Sequence, residues 1–370
     1  MRVIVIGAGV IGSAIAWRLA RAGAQVTVVD PAPGHGASRA AAGMLTPVGE
    51  AWHGERDLAT LLLDSARRYP RFVQDVAASS GGDTGYRTTQ TLICGADGAD
   101  RQALAELHDL ATRTGLRTEP LTLREARRIE PALAPRLACA YLAPDDHQVD
   151  PRALCAALLA GLRADGGALV QAEATEVLAD SRSVRLADGR SLDADAIVLA
   201  NALGATPLWP ALGGLRAVYG DIARLAPALD LPPLLQGVVR GLVGGHSVYL
   251  VPRADGSVVL GATMRENGDS RVSVGGVHEL LRDAATIVPG VVDLAVEEII
   301  ARPRPGTPDN LPLLGEVAPG VVAATGFHRH GVLLAPLAAD AVASTLGIPV
   351  DDLPDLDACA PTRFALQESR

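Results

Sequence analysis

Val3-Ile4-Val5-Ile6 runs straight into Gly7-Ala8-Gly9-Val10-Ile11-Gly12, and Val26-Thr27-Val28-Val29-Asp30 follows a short helix later. The first run reads as a strand buried on both faces, as in a parallel sheet. The glycines come at once in the spacing G-x-G-x-x-G. Gly7 makes the tight turn, Gly9 lets backbone approach a pyrophosphate, and Gly12 lets the helix pack close to the strand. Ser13 to Ala22 carries the small and apolar residues such packing needs, and the N–H groups of its first turn face phosphate. The second strand ends in Asp30, eighteen residues past Gly12, where a carboxylate accepts the hydroxyls of an adenosine ribose. Strand, glycines, helix, strand and terminal acid in register predict a dinucleotide site.

The rest of the composition bounds the partners. The chain has 370 residues, 48% hydrophobic, with a net charge of −9. That length supports two domains with a packed core, and the charge argues against a nucleic acid or an anionic membrane as partner. No apolar run approaches the roughly 20 residues of a membrane span, and the three glycines break what could pass for a signal peptide, so a cytoplasmic protein is expected. Cys94, Cys139, Cys155 and Cys359 are scattered with no C-x-x-C, which disfavours both a metal centre and a disulfide framework.

Beyond Asp30, the loop Pro31 to Arg39 leads into Ala40-Ala41-Ala42-Gly43-Met44-Leu45, small residues that suit a second close backbone approach to a ligand. A helical pattern from Asp57 to Ala78 is interrupted at Pro70. Thr88 to Cys94 reads as a strand, and Arg101 to Thr114 and Leu123 to Ile129 as helices. Asp150-Pro151 starts a helix by the N-cap and N1 preferences. Ala168 to Val170 and Ala194 to Ala200 are further strands, with a hairpin turning at Asp188-Gly189 between them. Tyr219 to Leu225, Ser247 to Val251 and Ser257 to Ala262 are antiparallel material, the last two joined by a hairpin at Asp255-Gly256. Ala301 to Asn310, with its three prolines, reads as an irregular loop. Val321 to Ala324 is a buried strand, followed by Gly326-Phe327-His328-Arg329-His330-Gly331 and a helix from about Val332 to Leu346.

The order of these pieces resembles the D-amino-acid-oxidase-type family of FAD-dependent oxidases, and within it the glycine oxidases of bacterial thiamine biosynthesis. The resemblance rests on the opening motif with Asp30, Ala40 to Leu45, Val149-Asp150-Pro151, Tyr249-Leu250-Val251-Pro252-Arg253, Arg304-Pro305-Gly306-Thr307-Pro308-Asp309, and Gly326 to Pro336. It implies an α/β plus α+β fold: a Rossmann-type FAD-binding domain from residues 1–80, 145–212 and 296–370, and an inserted antiparallel-sheet substrate domain from 81–144 and 213–295. It places Val10, Ile11, Asp30, Pro31, Ala37, Ser38, Ala42, Gly43 and Met44 along a non-covalent FAD, beside Gly7, Gly9 and Gly12. Val177 is expected at the adenine, and Phe327, His328, Arg329, His330, Gly331, Val332 and Leu333 at the isoalloxazine ring. The chain departs from the family at Ala202, where a glycine is usual.

Such a cofactor takes a hydride from the substrate Cα, and the protein supplies orientation and charge. Arg304 is the expected anchor of the substrate carboxylate, since a guanidinium matches it bidentately; Arg302 is the rival. Tyr249 is expected to assist, and Arg329 to hold the amine through its carbonyl or act by its side chain. His328 and His330 lack a third ligand, so no metal is expected. The implied reaction is oxidation of glycine or a small amine by molecular oxygen, giving glyoxylate, ammonia and hydrogen peroxide, or an imine passed to thiazole synthesis; the resemblance leaves a homo-oligomer open. A D-amino-acid or sarcosine-type oxidase or dehydrogenase, an NAD-dependent dehydrogenase and a flavin-binding subunit of a larger complex stay open beside it.

Overall fold

Buried apolar strands set the first layer. In the computed structural model, which describes residues 1–49, 55–227 and 232–364, β1 (Arg2–Ile6) lies between β2 (Gln25–Val29) and the strand Ala196–Leu199, parallel to both. Val3, Ile4, Val5 and Ile6 are all buried, as a strand covered on both faces requires. The sheet has six strands: Leu313–Ala318, Val321–Thr325, Ala196–Leu199, β1, β2 and Ala168–Val170. Helix α1 (Val10–Arg21) packs on one face with the helices Pro151–Ala164 and Ala335–Thr345. The helix Pro151–Ala164 begins as expected, Asp150 accepting from the Arg152 N–H with Pro151 in the first turn.

Gly12 makes the closeness of α1 possible, since a Cβ there would sit 2.0 Å from the Gly7 carbonyl oxygen. Gly7 itself has φ +104.

Helix α2 (Arg56–Ser80) corrects one expectation, for it runs unbroken through Pro70. Pro70 is exposed while Tyr69, Phe72 and Val73 on either side are buried. The lost backbone bond therefore falls on the water side, and apolar packing holds the helix together.

The second sheet has eight strands, in the order Ala295–Gly306, Arg216–Ala226, Val258–Gly261, His246–Pro252, Val238–Val243, Thr91–Gly95, Cys139–Ala143, Glu119–Leu121. One face packs on the helix Val274–Ile287 through Leu225, Val248, Leu260, Leu280 and Ile287. The other packs Ile222, Val238, Val251 and Val259 against Ala42.

Its first strand is the largest correction to the sequence reading. Residues 301–306 are not a loop but continue a strand that pairs with Arg216–Ala226 as far as Gly306. By that pairing they belong to the eight-stranded sheet, not with the nucleotide-binding segments. The prolines are tolerated because the strand is at the edge. Pro303 faces Tyr219, whose own N–H and C=O bond to Arg265 on the opposite side. Pro303 and Pro305 share that parity, so their missing N–H groups point away from the ladder, and the Pro305 carbonyl turns outward to accept from His328 at 2.8 Å.

Arg253 ties the end of a strand of the eight-stranded sheet to the segments at Ala42 and Gln148–Val149. Only 7% exposed, it donates to Gln148 Oε1 (3.1 Å), the Val149 carbonyl (3.2 Å) and the Ala42 carbonyl (2.6 Å). Burial pulls its pKa down to about 10, against the attraction of Asp150. Replacing it by methionine strands those acceptors and should cost about 2–4 kcal/mol. Urea denaturation of Arg253→Met checks this; a midpoint equal to wild type contradicts it.

Candidate active site

A single cavity of about 840 Å³ runs from the glycine turn to the eight-stranded sheet. At one end Gly7, Gly9, Val10 and Ile11 line it together with Asp30, Pro31, Ala37 and Ser38. Asp30 accepts the Ala8 N–H and the Ala32 N–H, both at 2.7 Å, one on each oxygen. Each oxygen keeps a second acceptor site for a ribose hydroxyl. Ser38 Oγ accepts the Val10 N–H at 2.9 Å. The strap Ala42, Gly43 and Met44 forms one wall, and Phe327 through Leu333 another.

Two expected residues stand elsewhere. Gly12 packs beneath the turn, as described, and does not line the cavity. Val177 pairs with Val184 and packs against the apolar cluster under the nucleotide sheet. Glu173, Ala174 and Thr175, earlier on that segment, line the cavity instead. The offset depends on how a short strand pairs, which local sequence does not give.

The last helix also starts later than expected, at Ala335. Residues 328–334 form turns, closed by the Leu334 N–H to the His330 carbonyl at 2.8 Å. His328 adopts φ +46 and hooks this turn to the edge strand through its N–H to Pro305. Burial, with His330, Arg329, Arg304 and Arg216 nearby, pulls His328 down to about 3, so its ring is neutral at physiological pH.

Tyr249 and Arg304 come together on the sheet face that closes the other end. Each lies over a glycine of a neighbouring strand. A Cβ on Gly220 would sit 2.3 Å from Arg304 Nη2, and one on Gly261 would sit 2.5 Å from the Tyr249 hydroxyl. Arg304 Nη1 donates to the Thr263 carbonyl at 3.3 Å, and the guanidinium has no carboxylate partner among the described residues. Arg329 lines the cavity from the turn beside His328. Sequence reasoning missed Arg240, which pairs across the strands with Tyr249 and donates to Thr46 Oγ1 at 3.3 Å. It also missed Ser247, Thr263 and Met264. Strand alternation places Ser247 on the face of Tyr249, a signal the sequence did carry.

Ala202 lines the cavity at φ +55, a left-handed conformation that favours glycine. The turn keeps its shape with an alanine in the left-handed region, steadied by Thr325 Oγ1 donating to the Ala202 carbonyl at 2.9 Å. Asn201 Oδ1, buried in the same wall, has no partner among the described residues.

A long cavity with a backbone-lined end, a ribose-type acid and an unsatisfied amide suits an extended dinucleotide, and the comparisons agree. Residues 2–345 match the family of FAD-dependent oxidoreductases, DAO. The chain belongs to that family. It is 32% identical over 342 residues to the glycine oxidase of Geobacillus kaustophilus (strain HTA426), covering 90% of each chain. It is 32% identical to the bifunctional protein ThiO/ThiG of Synechocystis sp., with 98% of this chain covered but only 54% of that protein, so the chain spans about half of that relative. The crystal structure of the Geobacillus kaustophilus glycine oxidase superposes with a TM-score of 0.88 at 31% identity, covering 98% of this chain and 99% of that one. That of iminodiacetate oxidase from Chelativorans sp. BNC1 gives 0.86 at 27%, covering 97% and 99%.

The protein is thus an FAD-dependent oxidoreductase. None of its four cysteines lines the cavity. Among the described residues no helix is long and apolar enough to cross a membrane. Gly9 supplies the test of the cofactor end. A Cβ there meets only Ser38 Oγ, at 3.1 Å, so Gly9→Val should fold while filling the space where backbone meets phosphate. The purified variant should be colourless; stoichiometric flavin at wild-type affinity contradicts the placement.

Proposed function

We propose that this enzyme oxidises glycine and other small amino acids, with glycine, water and oxygen giving glyoxylate, ammonia and hydrogen peroxide. The observation that carries the reading is Arg304, a guanidinium without a carboxylate partner laid across Gly220 beside Tyr249. The likeness to glycine oxidases along nearly the whole chain supports it.

FAD, when bound, accepts the hydride from the substrate Cα. Arg304 holds the substrate carboxylate by two parallel N–H donors, and the Tyr249 hydroxyl donates a third bond. The turn carrying Arg329 offers its main-chain carbonyl to the amine. Fixing both ends of so small a substrate leaves its Cα little freedom, which is the protein's main contribution to rate. His328, neutral and hooked to Pro305, adds shape without a competing charge. Water then hydrolyses the imine of glycine to ammonia and glyoxylate, a step that needs no further group from the protein.

Breaking a desolvated guanidinium–carboxylate pair removes roughly 3 kcal/mol of transition-state stabilisation. Arg304→Ala should therefore lower kcat/KM for glycine about a hundredfold while keeping its flavin spectrum. Tyr249→Phe loses one neutral bond, about 0.5–1.5 kcal/mol. Arg271→Ala, whose side chain is 85% exposed, pairs with Asp269 and does not line the cavity, serves as the silent control. A peroxide-coupled screen of glycine, sarcosine and small D-amino acids reads all three. Normal glycine turnover by Arg304→Ala contradicts the assignment. Reduced flavin that persists in air and reoxidises only with a dye contradicts oxygen as acceptor.

A further inference from the structure

The edge strand presents two arginines to the cavity. Arg302 and Arg304 have the same parity, so their side chains leave the same face about 6.6 Å apart along the strand, and both line the cavity. They turn in opposite directions. Arg304 crosses Gly220 toward Thr263, on the substrate side. Arg302 reaches the nucleotide side, its Nε donating to the His35 carbonyl at 3.3 Å and its Nη1 to the Ala301 carbonyl at 2.9 Å.

Neither guanidinium has a carboxylate partner among the described residues. The contrast with the neighbouring arginines is sharp. Arg39, Arg152 and Arg224 all converge on Glu298 a few residues back on the same strand. A cation left without a counter-ion beside a cavity is matched to an anion that arrives with a ligand. Two such anions must be held here: the substrate carboxylate and the doubly charged pyrophosphate of FAD.

The pyrophosphate needs more than the glycine turn provides. A helix N-terminus is worth about half a charge, and one of the first N–H groups of α1, that of Val10, already goes to Ser38. The acids lining the cavity, Asp30 and Glu173, stand on nucleotide-side segments and add negative charge. Arg302 lines the cavity and is bonded to the loop between Asp30 and Ser38 through the His35 carbonyl.

We propose that Arg302 is the cofactor's anion clamp: carried on the substrate sheet and braced by His35, its guanidinium holds the FAD pyrophosphate, while Arg304 takes the substrate carboxylate. The strand then links the two sites mechanically, because the same rigid ladder with Arg216–Ala226 positions both charges. This rests on the FAD cofactor, which the family establishes, and not on the identity of the substrate. Its test needs no turnover.

The test is binding to flavin-free protein. FAD affinity is measured by quenching of flavin fluorescence for wild type, Arg302→Ala and Arg302→Lys, at low and high salt, with ADP and adenosine as competitors. Arg302→Ala should bind FAD about 10- to 100-fold more weakly, the range of a lost charge-assisted bond. Arg302→Lys should fall between, keeping the charge without the fork. ADP should weaken in parallel and adenosine should not, and the salt dependence of FAD binding should flatten in Arg302→Ala. Unchanged FAD affinity in both variants overturns the proposal. So does an equal loss for adenosine, which would mean that Arg302 merely shapes the His35 loop. Weakened binding of acetate to flavin-saturated Arg302→Ala also overturns it, since Arg302 would then belong to the substrate anchor. If Arg302→Ala fails to fold, Arg302→Lys carries the same comparison.

Discussion

The side chains of Arg304 and Tyr249 occupy space that a Cβ on Gly220 or Gly261 would fill. That steric allowance lets long polar side chains lie flat on a β-sheet and turns the sheet into the ceiling of a cavity. A side chain standing upright on a strand points away from its neighbours. One laid across a glycine has its rotamers restricted by the strands beside it, so it presents a fixed guanidinium or hydroxyl at little further entropic cost on binding. The positions of the two glycines follow from register: Gly220 opposite Arg302 and Gly261 opposite Tyr249.

The nucleotide half was legible because its information is local. β1, the glycine turn, α1 and β2 follow one another within thirty residues, and each pairs with its sequence neighbour. The helix starting at Asp150 and the hairpin at Asp255-Gly256 were legible for the same reason, since a cap or a tight turn is specified by adjacent residues. The strand through Pro303 and Pro305 was not, because proline reads as a breaker until one knows that the strand is at an edge and which way each N–H would point. Pro70 misled in the same manner: its tolerance depends on which side of α2 faces water.

The candidate site divides along the same line. Arg304 and Tyr249 were found through motifs that carry the resemblance. Arg240 and the role of Gly220 depend on pairing between strands distant in sequence, and no local pattern announces it. Val177 slipped because a short strand's offset is set by its partner, here Val184. Ala202 shows the converse: the sequence drew attention to the position, but only its φ of +55 shows that it is one a glycine would suit.

Charge is placed with similar economy. Glu298 gathers Arg39, Arg152 and Arg224 where the sheet meets the nucleotide segments; burial would raise its pKa, but the bonds to Arg152 and Arg39 hold it below the usual range. Arg304, a few residues further on, has no carboxylate partner among the described residues. The glycine beneath it is thus the most direct place to test the account, because altering Gly220 touches neither the cofactor nor the arginine's own chemistry. Gly220→Ala should fold and keep its flavin, while acetate, followed by its perturbation of the flavin absorbance, should bind at least about tenfold more weakly as the guanidinium is displaced. Acetate binding equal to wild type, with flavin retained, would contradict the claim that Arg304 lying across that gap is the carboxylate anchor.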